Sequence, residues 1–537
     1  MALGIGTGEF AQVNLGGPGT FSGPRRFIEW VKPMDLYYQY QAFTEARGEQ
    51  AASFNTFRRI MKPVFKSHLK CRDKGEHGQC DTCFRLRMKI RKALSKEARA
   101  SVVQSYTRHL LSQWLDRSVY WQLRGQARTF FADSLYLADK MYKASIQTSV
   151  LTLIQDGMDQ SKLRLPRRGY VQASKAWQKM FRPACHLVGT WMHGWRLQFS
   201  LSDEDMPKNS VTSIELIARA LSDLVAEVGH LPVQVHLQQD NCYREGKNRY
   251  MMTFFLLLVT LGICRFSALG FLRSGHSHED IDQAFGQVAR VLIGKSIACP
   301  AELIQILTEV TGSGKRIRGS EATAEKLDET CCWKDFVRQA GVVFKGLRHV
   351  HYFRFCARKD LGTDVLDNVL ELEELRGHWE RHPEDIFLVT KRWLADTEVQ
   401  RALAIIPAEL ASQMRAGFHP PAGIAPRKTI HEQIRKNLEK TVPPCFKSGE
   451  LSRDGAEYLQ HWSQGTLQRN RRPANYAILA YRHSESLRRE CHRPGTWTIP
   501  RRPRHFDLTL EQTDCVQDSD DSGSENGAID LCEGLEA

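Results

Sequence analysis

No stretch of this 537-residue chain is apolar for long enough to cross a bilayer. The longest, from Met251 to Cys264, falls short of the roughly 20 residues that a membrane helix needs. It fits a helix buried against a sheet instead. The opening "MALGIGTGEFAQVNLGG" lacks the basic-then-apolar pattern of a leader, and the 14 cysteines follow no paired framework. Both absences favour a reducing compartment, cytosol or nucleus, over secretion. A complete phosphate loop is also missing. In "TGSGKR", from Thr311 to Arg316, Glu309 stands where the earlier glycine would be required, so the segment is expected to be a flexible turn.

What is present describes a folded chain in contact with water. Hydrophobic residues make up 42% and charged residues 25%, and the length predicts two to four structural units. Charge is unevenly placed. Residues 507–537 carry 10 acidic and no basic residues, leaving 75 basic against 51 acidic elsewhere, a net +24. A basic body of this kind suits a nucleic-acid partner, and the acidic end has the composition of a disordered tail.

Six segments can be drawn along the chain. Residues 1–35 form an irregular, Gly-rich N-terminus, and 36–145 a helical region. The second part of that region, Phe84 to about Met141, predicts two or three long helices with a basic exposed face. A small zinc knuckle is expected at 68–83. There Cys80 and Cys83 form a C-x-x-C, Cys71 lies upstream, and His77 or His68 could complete the set. Four such ligands can close a tetrahedral zinc site, and a knuckle this small needs its metal to fold.

From Ser149 the rhythm becomes that of strands. "SVLTLIQDGMD" is an apolar run ending on Asp156, and "HLVGTWMHGWRLQFSLSD" splits at His193-Gly194 into a hairpin. An amphipathic helix, "SVTSIELIARALSDLVAEV", follows, capped near Ser210 or Thr212. Then come the strand "LPVQVHLQQD", the apolar helix, the strand "FSALGFL" and the helix "SHEDIDQAFGQVARVL". The order over 146–300 is β-β-β-α-β-α-β-α, which predicts an α/β fold with a ribonuclease-H-like mixed sheet. In that arrangement the first and fourth strands lie side by side, so Asp156 and Asp240 meet at one sheet edge. Converging carboxylates repel unless cations neutralise them, and oxygen clusters favour Mg²⁺ or Mn²⁺. The helix at 279–292 supplies a third acid. Ile281, Phe285, Val288 and Leu292 form its buried stripe, which points Glu279 to solvent and leaves Asp280 and Asp282 as flanking candidates, Asp282 favoured. Ser277 would cap this helix. His276 is a candidate for contact with a scissile phosphate, and His278 for orienting Asp282. Asn241, Lys247 and Asn248 could hold phosphate or simply form a polar loop.

The segments "DGMDQSKLRLPR", "QQDNCYREGKNR" and "FLRSGHSHEDIDQAF", with H-x-x-C-x-x-C at His77, Cys80 and Cys83, resemble a transposase-derived domain family of unknown function. That family has a ribonuclease-H-like, DDE/DDD integrase-type core. The similarity covers about Ser53 to Leu292, with weaker agreement to Asp364. The resemblance implies Asp156, Asp240 and Asp282 as the catalytic acids, with His276 in the same motif. It departs at Glu245-Gly246, where the family commonly has Glu-Asn before Lys-Asn.

Residues 301–420 predict a mixed helical extension with one strand-like stretch, "HVHYFRFCARKDL". "FHPPAGIAPRK" looks like a linker opening a basic region at 421–506. There Arg clusters beside Trp462, Tyr476 and Trp497 suit nucleic-acid contact, nuclear import or a solvated surface. The C-terminal region as a whole is expected to be mostly helical. The reading that follows is a nuclear, transposase-like, metal-dependent nuclease or strand transferase acting on DNA. Asp156, Asp240 and Asp282 would bind Mg²⁺, and Cys71, His77, Cys80 and Cys83 would bind Zn²⁺. The alternatives are a non-catalytic DNA-binding protein and a nuclease of RNA–DNA hybrids. No membrane partner is expected, and a second copy of the chain is an open option.

Overall fold

The computed structural model describes residues 6–11, 25–28, 37, 40, 41, 44, 47–67, 69–71, 80–134, 149–169, 172–273, 275, 279–311, 316–317, 320–362, 382–421, 423–468, 476–484, 487 and 503–508. The chain forms two compact units. The first comprises Met1–Tyr120, Leu272–Ser277 and Leu510–Ala537, and the second Trp121–Phe271 and His278–Thr509.

In the first unit, strands β1 (Gly6–Ala11), β2 (Arg25–Ile28) and β3 (Leu69–Cys71) form a small sheet. Helix α1 (Phe54–Ser67) precedes β3. The basic helical stretch resolves into α2 (Asp81–Lys92) and α3 (Lys96–Ser134), a single helix of 39 residues, where the sequence left two or three helices open. The break falls at Ala93, whose extended backbone (ψ 123°) ends α2. Ser95 then restarts the helix by accepting from the Ala98 N–H. The boundary between the units falls within α3.

The second unit is built on a mixed ten-stranded sheet. Its central strands are β4 (Val150–Gly157), β5 (His186–Met192), β6 (Arg196–Ser202), β7 (Gln234–Gln239) and β8 (Phe266–Phe271). The short helix α4 (Lys175–Lys179) lies between β4 and β5. Helix α5 (Ser210–Val228) joins β6 to β7, α6 (Arg249–Thr260) joins β7 to β8, and α7 (Asp280–Leu292) follows β8. Antiparallel pairing links β4 to β5 and β5 to β6; parallel pairing links β4 to β7 and β7 to β8. Asn209, just before both residues named from the sequence, caps α5.

The sheet does not stop at residue 300. After α8 (Pro300–Thr311), strands β9 (Arg316–Ile317) and β10 (Ser320–Lys326) extend one edge beyond β6. Following α9 (Trp333–Arg338) and β11 (Val342–Lys345), β12 (Tyr352–Ala357), β13 (Ile386–Lys391) and β14 (Arg401–Ile406) extend the other edge beyond β8. The expectation of a mostly helical C-terminal part therefore needs correcting: it contributes half of the sheet's strands. Its helices are α10 (Ala408–Gly417), α11 (Glu432–Lys447), α12 (Arg453–Gln464) and the short α13 (Ala477–Ala480). Strand β15 (Arg504–Asp507) returns to pair with β11.

Period-2 alternation sorts the central strands into two faces. Leu151, Leu153, Val235, Leu237, Leu269, Phe353 and Phe355 join one core with α5 and α6. Every residue of α6 from Met251 to Thr260 is buried, because it touches α5, α9, β8 and β11 on different sides. That enclosure explains a helix apolar all round without a membrane. On the opposite face, α7 packs on β4. Gly189 of β5 makes the approach possible: a Cβ there would lie 3.1 Å from Ile281 Cδ1 and 3.2 Å from Phe285 Cζ.

Candidate functional site

Asp156 and Asp240 come together through strand register. In the parallel β4–β7 pair, Ile154 lies opposite Gln238. The pairing ends there, and each chain reaches its aspartate two residues further on, at the carboxyl ends of adjacent strands, near enough for the Asp240 charge to act on Asp156. Asp156 also faces Gly189 across the β4–β5 pair. Gly189 is where α7 comes down on the sheet, so the helix brings Asp282, the neighbour of Ile281, toward Asp156.

Each of these aspartates has one oxygen held by a backbone amide. Asp156 Oδ1 accepts from Gly157 N–H at 2.7 Å, Asp240 Oδ1 from Cys242 N–H at 3.1 Å, and Asp282 Oδ2 from Glu279 N–H at 2.9 Å. The carboxylates are thereby oriented before any ligand arrives. Asp156 and Asp240 are held above the usual carboxylate range. Burial, then the charges of Asp282 and Asp240, push the Asp156 carboxyl up to about 7. Asp240 is exposed to solvent yet flanked closely by protein. That desolvation raises its carboxyl, with Glu245 and Asp282 adding to the effect and Lys208 opposing it. Among the described residues, these carboxylates do not gather within 4.8 Å of one another as a closed ligand set does.

The other two acids of the α7 turn are already committed. Asp280 is buried and paired with Arg124 at 3.0 Å and Arg128 at 2.9 Å, both on α3. Glu279 is also buried, 4% exposed, and accepts from Trp121 Nε1 at 3.0 Å. The helical wheel sent Glu279 to solvent because it could not show that α3 covers this side. Glu279 occupies the cap position of α7, in a reciprocal capping box with Asp282, and Ser277 lies outside the described residues. His276 and His278 lie outside the described residues.

The loop from Asn241 to Asn248 anchors Asp240 from below. Asn248 caps α6 by accepting from Tyr250 and Met251 N–H. Lys247 is 1% exposed, its ammonium donating to Arg348 O at 2.8 Å and lying 3.1 Å from His351 Nδ1. The same His351 nitrogen lies 3.0 Å from Asn241 Oδ1, and its ring stacks on Trp393 at 3.7 Å. Lys247 is therefore a buried positioning group and is not placed to grip phosphate. Gly246 stands at a close approach, where a Cβ would meet Gln239 Oε1 at 2.4 Å. Gln239 in turn donates to Gln155 Oε1 at 2.9 Å, tying β7 to β4 just beneath the acids.

A second constellation lies in the first unit. Cys80, Cys83 and His109 present ligand atoms within 4.8 Å of one another, a group that could hold a metal ion such as zinc. Cys80 Sγ caps α2, accepting from Cys83 N–H at 3.4 Å, and lies 3.4 Å from His109 Nε2 on α3. Ile90, Val103, Tyr106 and Leu110 wall the group with apolar side chains. Two sulfurs and an imidazole in a dry, compact cluster suit tetrahedral zinc. The sequence missed His109, 26 residues beyond Cys83, because C-x-x-C spacing carries no information about the next helix. Residues His68 and His77 and the side chain of Cys71 lie outside what the structure describes, so the full expected knuckle is not among the described contacts.

Two of the aromatic residues credited to nucleic-acid contact serve the core. Trp462 is buried and stacked with Phe181, while Tyr476 OH donates to the buried Glu215 carboxylate at 2.7 Å. Trp497 lies outside the described residues. Nor is the Phe418 segment a loose tether. Ala425 N–H bonds to Thr330 O, and Arg427 makes two hydrogen bonds to the Asp205 carboxylate.

With this geometry in view, comparison with known proteins adds one match. Residues 175–366, a little over a third of the chain, match a domain of unknown function, DUF7869. The matched span includes Asp240 and Asp282 and begins after Asp156. Nothing among the curated proteins or the solved structures matches the chain.

Proposed function

We propose that the second unit is a ribonuclease-H-like core that cleaves or transfers phosphodiester strands of DNA with Mg²⁺ or Mn²⁺, in the manner of a transposase. The observation that carries the reading is the pair Asp156 and Asp240 at the ends of parallel strands, with Asp282 close enough to raise Asp156. The central strand order β6-β5-β4-β7-β8, with β5 antiparallel to its neighbours, supports the fold assignment. Two unit charges about 4 Å apart repel by about 4 kcal/mol at an effective dielectric near 20. At the wider spacing of these carboxylates the repulsion is smaller but of the same sign, as the raised Asp156 carboxyl reflects, and oxygen donors that repel one another suit a hard divalent cation. When bound, such ions supply an activated water or hydroxyl and stabilise the departing oxygen. The chain's own contribution is to hold three carboxylates by backbone amides, to pair Asp280 with Arg124 and Arg128, and to engage Glu279 through Arg124 and the Trp121 N–H.

The Cys80–Cys83–His109 group would stabilise the first unit with zinc, and the basic body would draw in DNA, consistent with a nuclear protein. The test is a Mn²⁺-dependent nicking assay on plasmid DNA. Wild type should nick, and Asp240→Asn should lose at least about a hundredfold, the scale on which active-site charge placement acts. Equal activity in the two proteins, or none in wild type across DNA and hybrid substrates, would overturn the reading.

A further inference from the structure

Beside the acid pair lies a cleft of about 440 Å³, lined by Gly157, His186, Lys208, Arg244, Glu245 and Lys428 among others. Resting on the nuclease reading above, we propose that this cleft is a phosphate subsite, holding a DNA backbone phosphodiester next to the one presented to the acids.

The cleft adjoins the acids directly. Gly157 follows Asp156, and Lys208 pairs with Glu245 at 3.2 Å while its charge reaches Asp240. His186 is 7% exposed, and its ring has no hydrogen bond of good geometry, only a loose one to the Glu204 backbone. A buried polar group held this loosely favours a ligand or water that completes its hydrogen bonding. Burial, followed by the nearby charges of Lys428 and Lys208, lowers its pKa to about 4, so near neutral pH it offers one N–H donor without further charge.

Arg244 and Lys428 are crowded together. Desolvation and then the charge of Arg244 lower the pKa of Lys428. Like charges held side by side in a concavity favour an anion between them. The nearby acids compensate this pair only in part: Glu204 and Asp205 favour the Lys428 ammonium, each less strongly than Arg244 opposes it. Glu245 is paired with Lys208, Glu204 Oε2 accepts from Ala184 N–H at 2.7 Å, and Asp159 caps its own turn at Ser161. Among the described residues, the Lys428 ammonium donates to a backbone carbonyl, Glu204 O, at 3.2 Å. Its position is fixed, since Lys428 N–H bonds to Asp205 O and the adjacent Arg427 grips the Asp205 carboxylate. The sequence could not show this arrangement, because Lys428 arrives from a segment that looks like a linker.

The test uses the full chain and a fluorescent duplex DNA, with Ca²⁺ in place of the catalytic ion, followed by anisotropy across a salt series. Arg244→Ala with Lys428→Ala should weaken binding about tenfold and reduce the slope of log affinity against log salt by about 1–2. Arg244→Lys with Lys428→Arg should restore both, which separates charge from folding. Unchanged affinity and slope in the double alanine variant would overturn the subsite, even if wild type nicks DNA normally. Loss of affinity in that variant with no nicking by wild type would retain the subsite and remove the chemistry. Titration with inorganic phosphate alone distinguishes the source of the anion. Phosphate binding that the alanine variant abolishes, with DNA affinity intact, would overturn the assignment to nucleic acid.

Discussion

Asp156 carries the least comfortable charge of the candidate site, and that has a measurable consequence for stability. Its folded-state pKa of about 7 stands above the ordinary 3.8, so folding takes up a proton between those values. The stability this group contributes is therefore present below that window and lost as pH rises through about 7. Asp156→Asn keeps an oxygen to accept from Gly157 N–H but cannot ionise. In metal-free buffer the variant should melt several degrees above wild type at pH 8, by a margin that is smaller at pH 5 and closes only below about pH 3.8, by differential scanning calorimetry. A bound cation reverses the sign, because it favours the ionised carboxyl. Mn²⁺ should raise the wild-type melting temperature more at pH 8 than at pH 6 and leave the Asn variant unmoved. An Asn variant that melts below wild type at pH 8 would show that Asp156 is structurally satisfied.

At the scale of elements, the site depends on how closely α7 seats on β4 and β5. Gly189→Val would force side-chain atoms into Ile281 and Phe285, an overpacking worth about 1–3 kcal/mol. Urea unfolding should report that loss, while nicking should fall further, because Asp282 moves with the helix. The same scale explains what the sequence could and could not reveal. The position of Asp156 and Asp240 at neighbouring strand ends was legible, because an apolar run ends on one and an alternating strand on the other, and β4 pairs with β7 in parallel. Glu279 was misjudged because a helical wheel treats α7 as though one side were open, whereas Trp121 and Arg124 of α3 close it. His109 was invisible for a related reason: its partnership with Cys80 is a contact between consecutive helices. Purified protein should carry about one zinc ion per chain by elemental analysis, and His109→Ala should remove most of it. Full zinc retention in that variant would return the search for ligands to Cys71, His68 and His77.

At the scale of the whole molecule, the ten-stranded sheet draws half its strands from residues beyond 300. One of them, β12, is the strand-like stretch "HVHYFRFCARKDL", whereas β9 is two residues long and β10, "SEATAEK", is polar enough to pass for a helix or loop. The fold of the C-terminal part therefore depends on long-range pairing more than on local pattern. The end of the chain follows the same logic. Arg504–Asp507 pairs with Val342–Lys345, and Leu508 is buried, so the folded body extends at least that far. Cutting after Leu508 would remove 9 acidic residues and no basic ones, leaving 75 basic against 52 acidic, a net +23 in place of +14. If the tail competes with phosphate for the basic surface, the truncated protein should bind duplex DNA several-fold more tightly at low salt. The advantage should vanish at high salt, where the Debye length falls to about 3 Å at 1 M. Anisotropy titrations at both ionic strengths test this. An equal gain at low and high salt would mean that the tail acts by occupying space, and no gain at either would mean that it does not cover the DNA-binding surface.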